Sequence, residues 1–233
     1  GGSSAINGLL YVRGQREDYD GWRQMGCTGW GWEDVAPVFE RMERWLGEPV
    51  EGRGRDGPLA VSPTRLSREV VDAWIAAAEA AGHPRVRDYN GASQEGVAYF
   101  QQTAERGRRA SAAVAYLRPA RGRETLRVLT GVAVERLAIE DGRVTAVEAR
   151  RDDGPIRLAA RREVILSAGA LATPQLLMVS GIGDAEHLAA HGVRPLIARA
   201  EVGRNLQDHL QARPVFRVSV PTINTETRSW LRK

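Results

Sequence analysis

The chain has one cysteine, Cys27, and one lysine, Lys233, in 233 residues. A single thiol cannot close an intrachain disulfide and leaves no cysteine set for a structural zinc. No apolar run reaches the length of a membrane span. There is no Asn-x-Ser/Thr sequon, no Gly-x-Ser-x-Gly nucleophile elbow and no His/Asp/Glu spacing of a metal site. Basic charge is arginine and is dispersed: 33 Lys and Arg stand among 29 Asp and Glu, for a net charge of +4. Dispersal of this kind marks a solvated surface and argues against a nucleic-acid partner. An initiator Met is also missing, so the opening Gly1-Gly2-Ser3-Ser4 reads as the middle of a longer protein, with the cytoplasm as default compartment. What is present is an apolar fraction of 42%, enough for an ordinary core, and a length suited to one large or two small domains.

The chain reads as organised around residues 163–183. Val164 to Leu166 form a short apolar run suited to a buried strand, followed by the small residues Ser167, Ala168 and Gly169. Thr173 and Pro174 read as N-cap and first residue of a helix that Ser180-Gly181 ends. A strand, a small-residue turn and a capped helix suit the carboxyl edge of a doubly wound sheet, where nucleotide cofactors bind, and equally suit plain strand–helix packing.

Upstream, two glycines and two serines could cradle an anion with backbone N–H groups or form a mobile terminus. Asp18 to Gly31, with Trp22 and Trp30 among glycines, reads as an ordered loop. Glu33 to Leu46 and Ser67 to Ala81 carry helical apolar stripes, and Ser111 to Leu117 a shorter one closed by Pro119. Residues 52–57 match G-x-G-x-x-G, but Glu48-Pro49 precedes them and Pro58 follows. With no strand leading in and no helix leading out, the match reads as a surface loop. Leu59 to Val61 and Val97 to Thr103 read as strands, and so does Leu126 to Leu129. Val134 to Ile139 and Val144 to Ala149 flank Asp141-Gly142, a strong hairpin signal, and Ile156 to Ala159 adds a third meander strand. Asp184 caps a short helix to His191, Arg213 to Val220 alternates like a strand, and Asn224 to Lys233 reads as the start of a helix.

Four stretches together resemble the glucose–methanol–choline flavin oxidoreductases. They are Gly1-Gly-Ser-Ser-x-x-Asn7-Gly8 with Tyr11-x-Arg13-Gly14, Gly57-Pro58-Leu59, Ser167-Ala-Gly169 through Ser180-Gly-Ile-Gly183, and Val202-Gly-x-Asn-Leu-Gln-Asp-His209. Leu10 to Gly14 and Ser111 to Leu117 resemble the choline dehydrogenase-like and alcohol dehydrogenase branch. The resemblance implies an α/β fold: part of a Rossmann-like FAD-binding domain with an antiparallel meander, and part of an α+β substrate domain. Residues 1–62 and 111–202 would belong to the FAD domain, and 63–110 and 203–233 to the substrate domain.

The resemblance further implies FAD as cofactor and an alcohol as substrate, oxidised at its CH–OH group by hydride transfer to flavin N5, where the flavin does the redox chemistry. A non-redox lyase of the same family and an inactive fragment are the alternatives. Gly2, Ser3 and Ser4 would approach the phosphate–ribityl side of the flavin, with Asn7, Gly8 and Leu9 along its ring. Val134 would pair with adenine through its backbone, and Ser167, Ala168 and Gly169 would flank the adenosine or pyrophosphate. Tyr11 matches an aromatic that stacks over alcohols, and equally suits core packing. Ile6 occupies the place of a histidine in covalently flavinylated relatives, which implies non-covalent FAD. The family's dinucleotide fingerprint and its catalytic histidine lie outside the matched stretches. His83, His187, His191 and His209 therefore read as structural or solvated, and no catalytic residue is assigned within the chain. Such a piece is expected to bind FAD poorly by itself. Electron acceptor and oligomeric state stay open.

Overall fold

A computed structural model describes residues 2–226. The chain divides into two compact units, residues 1–126 with 215–233, and residues 127–214.

In the first unit, α1 (Arg16–Gln24) and α2 (Trp32–Met42) are joined by a short turn. Each carries an aspartate three residues after its N-cap that accepts the cap's N–H: Gln15 N to Asp18 at 2.8 Å, and Gly31 N to Asp34 at 3.0 Å. The first half of the expected aromatic loop over Asp18 to Gly31 is thus helix and the second half, 25–31, is loop; Tyr19 on α1 packs against Trp22, Trp32 and Phe39. α2 ends at Met42, short of the expected Leu46. Glu43–Trp45 instead forms strand β1, parallel to β2 (Leu59–Val61).

Next come α3 (Glu69–Ala80), and a two-residue hairpin of β3 (Ala104–Glu105) and β4 (Arg108–Arg109) around Arg106-Gly107. Both turn residues have positive φ, 50° and 75°, as a tight hairpin turn requires. A π-helical segment, Ala113–Leu117, runs into α4 (Arg118–Ala120), so Pro119 does not close the helix. Near the end of the described residues lies α7 (Ile223–Glu226). The rest of the helix expected over Asn224 to Lys233 lies outside them.

The second unit is built on an antiparallel sheet of β5 (Ala133–Glu140), β6 (Arg143–Arg151) and β7 (Gly154–Ala159), the expected meander. α5 (Gly169–Val179) packs on it, followed by β8 (Ile182–Gly183), α6 (Ala185–Ala190) and β9 (Ile197–Ala198). The Ser180 hydroxyl, capping α5, accepts from Leu137 N on β5 at 2.9 Å and donates to Leu176 O at 2.6 Å. Leu137, Ala146, Ala149, Leu176 and Leu188 form this unit's core.

Several expected elements differ. α5 begins at Gly169, so Thr173 and Pro174 fall in its second turn. Ala170, Leu171 and Ala172 favour helix and outweigh the one backbone bond that Pro174 forgoes. The runs 126–129, 164–166 and 213–220 have no ladder partner among the described residues, and Ile165 is 80% exposed. An apolar run becomes a strand only where a neighbour supplies ladder bonds. The strand expected over 97–103 is reduced to isolated bridges at Val97 and Gln102. Its backbone is drawn away: Gln101 N donates to the Tyr89 hydroxyl at 2.7 Å and Gln101 O accepts from Tyr11 N at 3.0 Å.

Candidate functional site

The candidate residues fall into two groups, one in each unit. Gly2, Ser3, Ser4, Asn7, Gly8, Leu9 and Tyr11 lie in the first. Val134, Ser167, Ala168 and Gly169 lie in the second.

The first group is a preformed turn. Ser3–Ala5 is one turn of 3-10 helix, closed by Ala5 N to Gly2 O at 3.1 Å and Asn7 N to Ser3 O at 2.8 Å. The Asn7 side-chain oxygen accepts from Leu9 N at 3.1 Å. Leu9 itself stands at φ 68°, a left-handed conformation that bulky residues seldom adopt, and Gly2 at φ 58°. An added Cβ at Gly2 or Gly8 would meet no atom within 4 Å. Gly8 has no positive φ and no close neighbour, so the fold itself makes no demand for glycine there. The open space leaves the backbone there accessible to a close-approaching group.

In the second group, Val134 lies on the edge strand β5 and lines a groove of about 350 Å³ with Glu135, Ala168, Ala172, Gln175, Leu176 and Val179. Gly169, at φ 90°, opens α5, whose first N–H groups have no partner within the helix. Ser167 immediately precedes this opening and is exposed. A groove lined by apolar side chains together with the polar Glu135 and Gln175, beside helix N–H groups that lack a partner within the helix, suits a purine.

The sequence profile of the GMC oxidoreductases matches residues 1–211. The chain belongs to the GMC oxidoreductase family. An oxygen-dependent choline dehydrogenase of Rhizobium johnstonii is 43% identical over 231 residues, which are 99% of this chain and 41% of that protein. Among solved structures, pyridoxine 4-oxidase from Mesorbium loti matches with a TM-score of 0.83 at 39% identity, covering 90% of this chain and 42% of that one. An FAD-dependent oxidoreductase from Chaetomium thermophilum matches with a TM-score of 0.84 at 29% identity, covering 89% and 38%. The chain spans about two fifths of the length of the curated relatives it matches. No described helix is long and apolar enough to cross a membrane.

In the same unit as the turn, this GMC oxidoreductase chain holds a buried charged network that its sequence does not announce. Glu43 on β1 is fully buried. It accepts from Arg13 Nη2 at 2.5 Å, from Arg53 Nε at 2.8 Å, from Arg53 Nη2 at close range, and from Gly54 N at 3.2 Å. Arg53 Nη1 also donates to both Asp88 oxygens, at 2.8 and 2.7 Å, and to Gln101 Oε1 at 2.9 Å. Two cations thus meet two anions. Asn90 links the network to the chain before it, accepting from Arg13 N at 2.7 Å and donating to Tyr11 O at 3.0 Å. The supposed surface loop 52–57 is therefore half interior: Arg53, Gly54 and Gly57 are buried because Arg53 answers Glu43. With no helix in that loop, it is no dinucleotide fingerprint.

Tyr11 is half-buried, with Arg13 and Arg53 guanidinium groups 5.9 and 6.0 Å from its ring centre. Burial pushes its hydroxyl pKa up, with Arg13 pulling the other way. Burial works to lower the Arg53 pKa, but bonds to Glu43 and Asp88 outweigh it and raise it. Burial likewise works to raise the Asp88 pKa, but bonds from Gln101, Arg53 and the Asn90 backbone hold it below the ordinary carboxylate value. A carboxylate with a depressed folded-state pKa stabilises the fold fully above its unfolded pKa, about 3.9. That contribution is lost as pH falls through the folded value. Unfolding in urea, followed by tryptophan fluorescence, is expected to show stability falling below about pH 4. Asp88→Asn should be less stable at neutral pH yet lose less on acidification. An equal acid loss in both proteins would exclude Asp88 as a source.

The histidines offer no base within this network. His187 and His191 stack on α6 with ring centres 4.5 Å apart, and His191 Nδ1 pairs with His187 O at 2.9 Å. His209 is almost fully exposed beside Asp208, and His83 is exposed just after α3.

The pins of the turn also escape a reading by spacing. Thr103, Arg109 and Ala112 lie about a hundred residues downstream. The Arg108-Arg109 pair, leading into the small residues 110–113, is the one sequence mark near them.

Proposed function

We propose that this chain supplies part of the FAD site of an FAD-dependent oxidoreductase that oxidises the CH–OH group of an alcohol. The observation that carries the reading is the Gly2–Leu9 turn: closed by its own hydrogen bonds, exposed, and holding an open glycine at position 8 that the fold does not require. The family match and the choline, pyridoxine and FAD-dependent relatives support it.

On this reading Gly2, Ser3 and Ser4 meet the ribityl–phosphate side of the cofactor, and Asn7, Gly8 and Leu9 meet the flavin ring. Val134 takes the adenine, and Ser167 to Gly169 flank the adenosine or pyrophosphate. The bound flavin would accept the hydride from the alcohol carbon. The chain's own residues bind and orient, and the base that removes the hydroxyl proton comes from other polypeptide. Ile6, 86% exposed, has no side-chain atom able to bond a flavin, so FAD is held non-covalently. Tyr11 has the smallest share, since its half-buried ring lies beside Arg13 and Arg53. Residues 1–62 and 111–202 serve the FAD domain, and 63–110 and 203–233 the substrate domain.

The test uses the full-length protein that carries this sequence. It should be isolated yellow, release its flavin on acid precipitation, and bleach anaerobically with an alcohol such as choline. Flavin that stays with the precipitate would end the non-covalent reading. Flavin that no alcohol bleaches would favour a lyase over a redox enzyme.

A further inference from the structure

The turn proposed to meet the flavin is held in place by one side chain from the second strand of the β3–β4 hairpin. Arg109 Nη1 donates to Ser4 O at 3.2 Å and to the Asn7 side-chain oxygen at 2.5 Å. That same Asn7 oxygen accepts from Leu9 N, so the guanidinium and the strained residue share one acceptor. The other face of Leu9 is held from the same hairpin region: Leu9 O accepts from Thr103 N at 2.8 Å and from Thr103 Oγ1 at 3.2 Å. Ala112 N, at the entrance to the π-helical segment, donates to Ser4 Oγ at 3.0 Å. Backbone held at positive φ by a bulky residue persists only where its surroundings over-determine it. Here the surroundings are Asn7, Thr103 and Arg109. Arg109 is half-buried, and among the described residues its Nη1 meets these two neutral oxygens and no carboxylate.

We propose that Arg109 is the positioning residue of the flavin loop: its guanidinium bridges Ser4 and Asn7, fixes the Leu9 conformation, and so keeps residues 2–9 preformed for FAD. The proposal rests on the reading of that turn as flavin-contacting. Its physical content is a population. Without the bridge the turn samples other conformations, and affinity falls by the fraction of time the competent one is lost. One nitrogen makes both bonds, so a lysine ammonium with three donors can replace it, whereas a bidentate site would not accept the exchange.

The experiment compares Arg109→Leu and Arg109→Lys in the full-length, deflavinated protein. FAD binding is titrated by flavin fluorescence, hydrogen exchange of peptides covering residues 2–10 is read without FAD, and urea midpoints are measured. Arg109→Leu should weaken FAD binding about 10–100-fold, the worth of charge-assisted hydrogen bonds, and speed exchange in residues 2–10 with little change in midpoint. Arg109→Lys should restore most of both. Unchanged affinity and exchange in Arg109→Leu would overturn the proposal. So would a loss of protection spread over the whole first unit, which marks a merely structural role. Asn7→Ala guards against a misfolded Arg109→Leu. It removes the acceptor from an exposed side chain, and its exchange without FAD is independent of any flavin contact. Normal protection of residues 2–10 in that variant would also overturn the proposal. Failure of the unmodified full-length protein to bind FAD would instead sink the flavin reading of the turn, and the Arg109 proposal with it. That outcome is visible before any variant is made.

Discussion

Glu43→Gln is expected to destabilise the first unit by about 3–5 kcal/mol, the range for removing one partner of a buried ion pair. The carboxylate is fully buried between two guanidinium groups that are themselves almost wholly buried. Two cations balance two anions in the network. Neutralising Glu43 leaves Arg13 without its carboxylate and Arg53 with Asp88 alone. It also replaces an acceptor-only group by an amide whose NH2 would face guanidinium donors, so bonds are lost as well as charge. Arg53 is further favoured in the site by its guanidinium lying 4.1 Å over the Trp45 ring. The five tryptophans among the described residues all belong to the first unit, so fluorescence-monitored urea unfolding reads the right part of the molecule. The control is Glu33→Gln, which breaks an exposed pair with Arg16 in the same unit. An exposed pair is worth about 0–1 kcal/mol. If Glu43→Gln cost no more than that, the network would be a passive ornament and not the centre of the unit.

The same network explains what was legible in the sequence and what was not. The meander could be read because its information is local. Asp141-Gly142 takes the positive φ values a tight hairpin needs, and alternation continues on both sides. The α6 cap is equally local, with Asp184 accepting from Glu186 N and His187 N at 3.1 and 3.0 Å. The network is not local. Arg13, Glu43, Arg53 and Asp88 are spread over 75 positions, and each alone reads as a solvated charge. The helix expected to reach Leu46 stops at Met42 for the same reason. Residues 43–45 are captured by β2 and by the loop before it, through Trp45 N to Gly54 O at 2.8 Å and Gly57 N to Glu43 O at 2.9 Å. Tertiary bonds outweigh a favourable helical stripe. At the candidate site, the glycines and serines of residues 2–9 are picked out by resemblance alone. Thr103 and Arg109 are not, since no periodicity connects positions a hundred residues apart.

Gly54→Ala is the second large effect expected, at about 2–6 kcal/mol. Gly54 has no positive φ to demand glycine, so a reading by turn type would let alanine pass. The demand is steric. An added Cβ would fall on the Glu40 carbonyl oxygen at the end of α2 and lie 2.7 Å from Glu43 O. Both are backbone atoms, which cannot swing aside as a side chain can. Overpacking costs about 1–3 kcal/mol. Moving the loop to relieve it stretches the bonds from Gly54 O to Trp45 N and from Gly54 N to Glu43, with about 1–3 kcal/mol for a buried bond left unmade. Gly52→Ala, two residues earlier, isolates the other kind of cost. It has φ 74° but nothing within 4 Å of the new Cβ, so only the left-handed conformation is penalised, by about 1–2 kcal/mol. Urea midpoints should therefore rank wild type above Gly52→Ala and Gly52→Ala well above Gly54→Ala. The reverse order would mean that Arg53 enters the interior by another path, and that close passage of residues 53–54 against α2 is not what holds it there.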